Sequence, residues 1–275
     1  MKKAIVIAGI VLSGSSLSSI QAAYTTLFSQ DFSSSTTVSN YVSASSPTTG
    51  QFNAISTSGA AKAWTINTSP DNSLQLASTG GNAAYSSRTT DFSITPLIVA
   101  YTMELQWVSS STALTSSTQF FLGSGFGTGN SAETNANTYA KFGLNTTASN
   151  GFVVRDISGS TNGATTFAAG TYTVSWYLNN SGASATYLAP DGSTESLAND
   201  TWDIWVGTSK QLNDRAVTTT TQSITDFKLG SDGNGTYTYR LDDISIVAIP
   251  EPREVAIAIM GLLGVLIFVH RRRNA

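Results

Sequence analysis

The chain has 275 residues, 11% of them charged, no cysteine and one histidine. A charged fraction under half of the roughly 25% usual for a soluble domain leaves hydroxyls and amides to hydrate the surface, and the lack of thiols excludes disulfide staples and thiolate metal centres. Between residues 24 and 249 eight basic residues face fifteen acidic ones, a net charge of −7 without any basic cluster, which argues against nucleic acid as a partner.

The chain opens on MKKAIVIAGIVLSGSSLSSIQAA. Lys2 and Lys3 precede an apolar run over 4–12, and small residues follow to Ala22 and Ala23. This is the order of a secretory signal peptide, and the run is too short for the roughly 20 residues of a membrane-spanning helix. A cleaved signal over 1–23 is expected in preference to a retained anchor, although a cut after Ala23 leaves the larger Gln21 near the site.

From residue 24 onward the dominant period is two. In YTMELQWV, Tyr101, Met103, Leu105 and Trp107 share one face, opposite Thr102, Glu104 and Gln106. In TYTVSWYL the inward set is Tyr172, Val174, Trp176 and Leu178; in TWDIWV it is Trp202, Ile204 and Val206. Such alternation predicts antiparallel strands with one buried face. Shorter candidates are 27–32, 63–66, 73–77, 119–122, 139–144, 151–157, 185–188, 224–229 and 237–247. APDGST at 189–194 and GSDGNGTY at 230–237 carry turn chemistry, the first as a hairpin. The Ser/Thr-rich stretches 33–37, 109–118 and 218–221 read as loops or mobile edges. About a dozen strands predict an all-β, antiparallel two-sheet sandwich or jelly roll over 24–248.

The only histidine, His270, lies in the tail. The body therefore has no Ser-His-Asp or Cys-His machinery and no histidine zinc site. Its glutamates are Glu104, Glu133 and Glu195, and no Glu-x-Asp-x-x-Glu strand is present. Glu104 and Asp203 read as a solvated polar face; Asp203 and Asp200 are the carboxylates a polysaccharide-cleaving enzyme would have to use. SDGNGTY alternates Asp232, Asn234 and Thr236 but has Tyr237 where a calcium loop needs glycine, so a turn is expected there. Among Trp64, Trp107, Trp176, Trp202 and Trp205, the last falls opposite Trp202. It is the single aromatic side chain placed to reach the surface and so the candidate for glycan contact, although partial burial under a loop is the preferred reading.

The chain closes on IPEPREVAIAIMGLLGVLIFVHRRRNA. Residues 255–269 carry no polar side chain and would rise about 22 Å as helix, short of a roughly 30 Å hydrocarbon core. Arg253 and the basic end can snorkel to extend that reach. Arg271, Arg272 and Arg273 place the end in the cytoplasm by the positive-inside rule, with the body outside. A membrane contact through a single transmembrane helix over 255–269 is the expectation.

Pro250, Glu251 and Pro252, followed by an apolar run and the arginine cluster on a chain with a signal peptide, resemble a PEP-CTERM sorting signal. The resemblance covers 249–275. Arg253 and Glu254 stand where that family often has small hydroxyl residues. It implies a Gram-negative host that makes exopolysaccharide, an exosortase-type membrane enzyme as processing partner, and delivery to the envelope or extracellular matrix.

LFSQDF near the start of the body and YRLDDISIVAI at its end resemble the first and last strands of concanavalin A-like, laminin-G-like jelly rolls. That resemblance implies that the terminal strands pair. No cofactor or metal is expected; the alternative is a structural calcium on Asp31, Asp242 and Asp243, as in some jelly rolls. The architecture hosts lectins, glycosidases and adhesive modules alike. The expectation is a non-enzymatic, exported structural or adhesive sandwich with polysaccharide as partner; the alternative is a glycosidase or lyase on the same fold.

Overall fold

The computed structural model describes residues 24–250. The segment 1–23 expected as a signal peptide, Glu251, Pro252, the apolar run 255–269, and Arg271, Arg272 and Arg273 lie outside the described residues; Pro250 follows the last strand. Seventeen strands run in chain order: β1 (Thr25–Gln30), β2 (Ala54–Thr57), β3 (Lys62–Asn67), β4 (Ser73–Gly80), β5 (Ala84–Arg88), β6 (Ile98–Ser110), β7 (Leu114–Gly123), β8 (Thr138–Thr147), β9 (Gly151–Asp156), β10 (Thr161–Ala168), β11 (Gly170–Asn179), β12 (Ala185–Leu188), β13 (Thr194–Leu197), β14 (Thr201–Val206), β15 (Ser209–Ala216), β16 (Asp226–Ser231) and β17 (Gly235–Ala248). Two short 3-10 turns, Val38–Tyr41 and Asn135–Asn137, are the helical elements among the described residues, where no helix is long and apolar enough to cross a membrane.

The alternation predicted from sequence builds two antiparallel sheets. One has eight strands in the order β15-β14-β11-β6-β17-β4-β3, with β1 also on β17; the other has seven in the order β10-β9-β8-β7-β16-β5-β2. The chain passes repeatedly from one sheet to the other, in the manner of a jelly roll. The inward sets meet in a single apolar layer. Tyr101, Met103, Leu105, Trp107, Val174, Trp176, Leu178, Trp202, Ile204 and Val206 all lie in it, and Phe120, Phe142, Phe152 and Phe227 face them from the second sheet. Each such side chain contributes roughly 1.5–3 kcal/mol by leaving water, which is how a chain without disulfides holds this fold.

β1 and β17 pair antiparallel, Thr25 opposite Ala248, so the body begins and ends on one edge of one strand pair. APDGST makes the expected hairpin between β12 and β13: Asp191 Oδ1 accepts from Ser193 N at 2.9 Å and from its Oγ at 2.7 Å. Gly192 there takes φ +86°, which a side chain would resist.

Several elements depart from expectation. In the 109–118 stretch only 111–113 is a loop: its start closes β6 and its end opens β7, with Ser117 and Thr118 buried. β5 (AYSSR) is buried at all five positions because structure covers both of its faces, so its serines hide any alternation. β10 and β15 are edge strands of their sheets and largely polar, the composition that discourages edge-to-edge pairing.

Candidate functional site

The site grows from a break in the longest strand. Along β17 the inward residues are Tyr237, Tyr239 and Leu241, then Ile244, Ile246 and Ala248. The step from 241 to 244 is a bulge: opposite β6, Asp242 pairs with Glu104 while Ser245 pairs with Thr102, and Asp243 absorbs the extra residue at φ +46°. The bulge also marks a change of neighbour, since the first half of β17 pairs with β4 and the second half with β1. Between the end of β1 and the start of β4 the outer face of the sheet is left open. Asp31 and Ser33 border the opening on one side, Pro70, Asp71 and Asn72 on the other, and Glu104, Asp242 and Asp243 form its floor.

Beside it a narrower pocket continues over Gln106, Thr171, Arg240 and Ser73. Arg240 sits mid-sheet, opposite Gln75 on β4 and Gln106 on β6. Its Nε donates to Gln75 Oε1 at 2.9 Å and its Nη1 to Gln106 Oε1 at 2.8 Å. The guanidinium is thereby fixed in a pocket that Asp71, Glu104 and Asp242 also line.

Glu104 and Asp242 are cross-strand partners, a spacing of about 5 Å between their Cβ atoms. Burial, with the charges of Asp243, Glu104 and Asp31, pushes the Asp242 carboxyl up to about 6, against the bond that Asp242 Oδ1 accepts from Asp243 N at 2.8 Å. Asp31 goes the other way: bonds from Ser33 N (3.0 Å) and Oγ (2.9 Å) hold it below the usual carboxylate range.

The fold thus brings Asp31, Asp242 and Asp243 to one opening, but not into a chelate. Asp31 and Asp242 each turn an oxygen onto a local amide, and among the described residues no group of three or more Asp, Glu or His side chains is placed to hold a metal ion. Calcium needs six to eight converging oxygens, so these residues do not fit the alternative of a calcium site. What the cleft offers is a dense row of acceptors around one fixed planar cation. No aromatic ring lines it.

The glycan-contact candidate is corrected on the same sheet, and the burial preferred for it is found. Trp205 does face away from the core, but it is only 3% exposed, because the β12–β13 hairpin folds across β14. Its Nε1 donates to Tyr187 Oη at 3.0 Å, and Lys210 Nζ lies 5.0 Å from its ring centroid. The hairpin is held by Tyr187, whose hydroxyl donates to Asp203 Oδ2 at 2.6 Å and whose ring stacks on Tyr177 at 3.9 Å. Asp203 is likewise not on a solvated face: it is fully buried, with Lys210 Nζ at 3.1 Å and Asp214 N at 2.7 Å. Asp200 accepts from Asn199 Nδ2 at 2.6 Å and Tyr139 Oη at 3.3 Å. The carboxylates named for catalysis are therefore tied into structure, while Glu104, Gln106, Asp71 and Arg240 went unrecognised as site residues. The sequence carried one signal for them, the slip in alternation at Asp242 and Asp243.

The sandwich is the class that fold and site define. No protein-family model matches the chain, and no curated protein sequence does, so the PEP-CTERM resemblance of the tail rests on its own motif. Similar solved structures include a sialidase (TM-score 0.49, 11% identity, 82% of this chain and 19% of that one), the cellulose induced protein Cip1 (0.43, 10%, 70% and 89%) and a Bacillus subtilis protein with a galectin-like fold (0.43, 11%, 82% and 98%). The chain spans about a fifth of the sialidase's length. Likenesses at this level carry no statement about ligand or activity.

Proposed function

We propose that the chain is an exported, cell-surface or matrix β-sandwich that binds polysaccharide in the cleft around Arg240, Gln106, Glu104 and Asp242. It is delivered through a signal peptide and a PEP-CTERM-like tail read by an exosortase-type enzyme. The observation that carries the binding reading is the fixed Arg240 fork between two glutamines, edged by carboxylates and Thr171 on an open sheet face. Sugar hydroxyls are paired donors and acceptors, and such an array meets them without reorganisation.

The test is equilibrium binding of the full-length chain to a panel of soluble bacterial and plant polysaccharides, beside Arg240→Ala and Gln106→Ala. Retention by at least one glycan, weakened about tenfold or more in both variants with unchanged circular dichroism, supports the reading. That loss corresponds to about 1.4 kcal/mol, the order of one charge-assisted hydrogen bond. Wild-type affinity in both variants would count against this cleft.

A second reading, glycan cleavage, is favoured by one observation: Asp242, raised to about 6, directly opposite Glu104. A carboxyl tuned toward neutrality beside another is what acid–base chemistry on glycosides uses. Release of reducing ends, abolished in Asp242→Asn, would select it over binding alone.

A further inference from the structure

The outer face of the eight-stranded sheet changes character along its strands. At the cleft it shows Glu104, Gln106, Thr171, Arg240 and Asp242. Toward the other end the outward residues become Ala100 on β6, Tyr177 on β11 and Val247 on β17, and with Tyr24, Tyr187, Leu188 and Ile249 they form an open groove lined by no charged side chain. Leu188 is 64% exposed and Tyr24 50%, the two most exposed large hydrophobic side chains among the described residues. Leu188 alternates outward on β12 while Ala185 and Tyr187 point in. A leucine and a tyrosine so placed, over a stacked tyrosine pair, form a contiguous apolar surface with no partner in the body.

The chain itself says what this surface meets. Thr25 pairs with Ala248, so Tyr24 and Ile249 emerge together at the groove. The uncharged run of the tail begins at Val255, six residues beyond Ile249. Six residues of extended chain span at most about 20 Å. A body tethered on so short a lead keeps this end close to whatever the run enters. The cleft stands off: Asp242 lies seven residues back along β17 from Ile249, about 23 Å of strand.

We propose that the Tyr24–Leu188–Ile249 groove is a lipid-contact surface, seating the sandwich on the outer face of the bilayer with the polar cleft directed away from it. This rests on the proposed reading of the tail as a membrane anchor, and concerns the anchored state before the tail is processed. The chemistry is interfacial: tyrosine favours the headgroup level, and leucine and isoleucine bury in the acyl boundary. The body is acidic and no charged side chain lines the groove, so the lipid it suits is zwitterionic and the contact only weakly dependent on salt.

The chain has no cysteine, so one introduced thiol is a unique label site. The signal-cleaved chain, residues 24–275, with Leu188→Cys, Tyr24→Cys or Ser109→Cys carrying an environment-sensitive fluorophore, is reconstituted into phosphatidylcholine vesicles containing a lipid-borne quencher. Ser109 is exposed at the opposite end of β6. Several-fold stronger quenching at 188 and 24 than at 109, little changed between low and high salt, is the expected result. Equal quenching at all three sites, in vesicles that float with the protein, overturns the proposal and leaves the anchor reading intact. Energy transfer between labels at 188 on different copies, without lipid quenching, assigns the groove to a second copy of this chain and overturns it too. Failure of the chain to float with vesicles removes the anchor reading and this one together.

Discussion

Asp203 shows how much one residue's environment depends on a distant segment. Its carboxylate is buried, yet it is served by three donors: Tyr187 from the hairpin, Lys210 from β15 and the amide of Asp214. Tyr187→Phe removes a bond to a charged group and leaves Trp205 Nε1 without its acceptor. It should cost about 1.5–3 kcal/mol in urea unfolding, whereas Lys210→Met, which leaves a buried carboxylate without its cation, should cost about 3 kcal/mol or more. Trp205 emission should shift to the red in Tyr187→Phe if the hairpin loosens. Two other carboxyls make a pH prediction. Asp226 and Asp242 are both raised to about 6, Asp226 chiefly by burial. An acid whose folded pKa lies above its unfolded value binds its proton more tightly when folded. The stability it lends is therefore full below about pH 4 and is lost as the pH rises through about 6. Melting temperature should fall across that window, by an amount equivalent to about 1 kcal/mol per group after solvent screening. Asp242→Asn should flatten the fall and raise stability at pH 7.

At the scale of elements, the strands that could be read were those whose residue types alternate, whether or not the second face stays wet. β6, β11 and β14 announce themselves through alternating aromatic and aliphatic residues, and the Pro-Asp-Gly turn announces the β12–β13 hairpin. What could not be read was which strand lies beside which. Arg240, Gln75 and Gln106 are scattered over 165 residues, and only the registers of β17 with β4 and β6 make them neighbours. The same holds for Trp205: its outward position follows from alternation, but its burial follows from a hairpin packed across β14, which no local pattern encodes. β5 was hidden because it is covered on both sides. Its neighbour β16 packs closely against it, and a Cβ on Gly230 would lie 2.2 Å from Ala84 O. Gly230→Ala should force the two strands apart and lower unfolding free energy by about 1–3 kcal/mol, measured by chemical denaturation.

Taken whole, the molecule is arranged along its long strands. Both ends of the body leave at the apolar end of one sheet face, and the fixed arginine and its carboxylates occupy the other part of that face. A polysaccharide bound there would lie across β4, β17, β6 and β11. The most direct measurement is hydrogen–deuterium exchange of the full-length chain with and without a saturating bound oligosaccharide. Protection should appear in peptides around Asp71–Gln75, Glu104–Gln106, Thr171 and Arg240–Asp243. Protection confined to the seven-stranded sheet, or to the hairpin over Trp205, would contradict the assignment of the cleft.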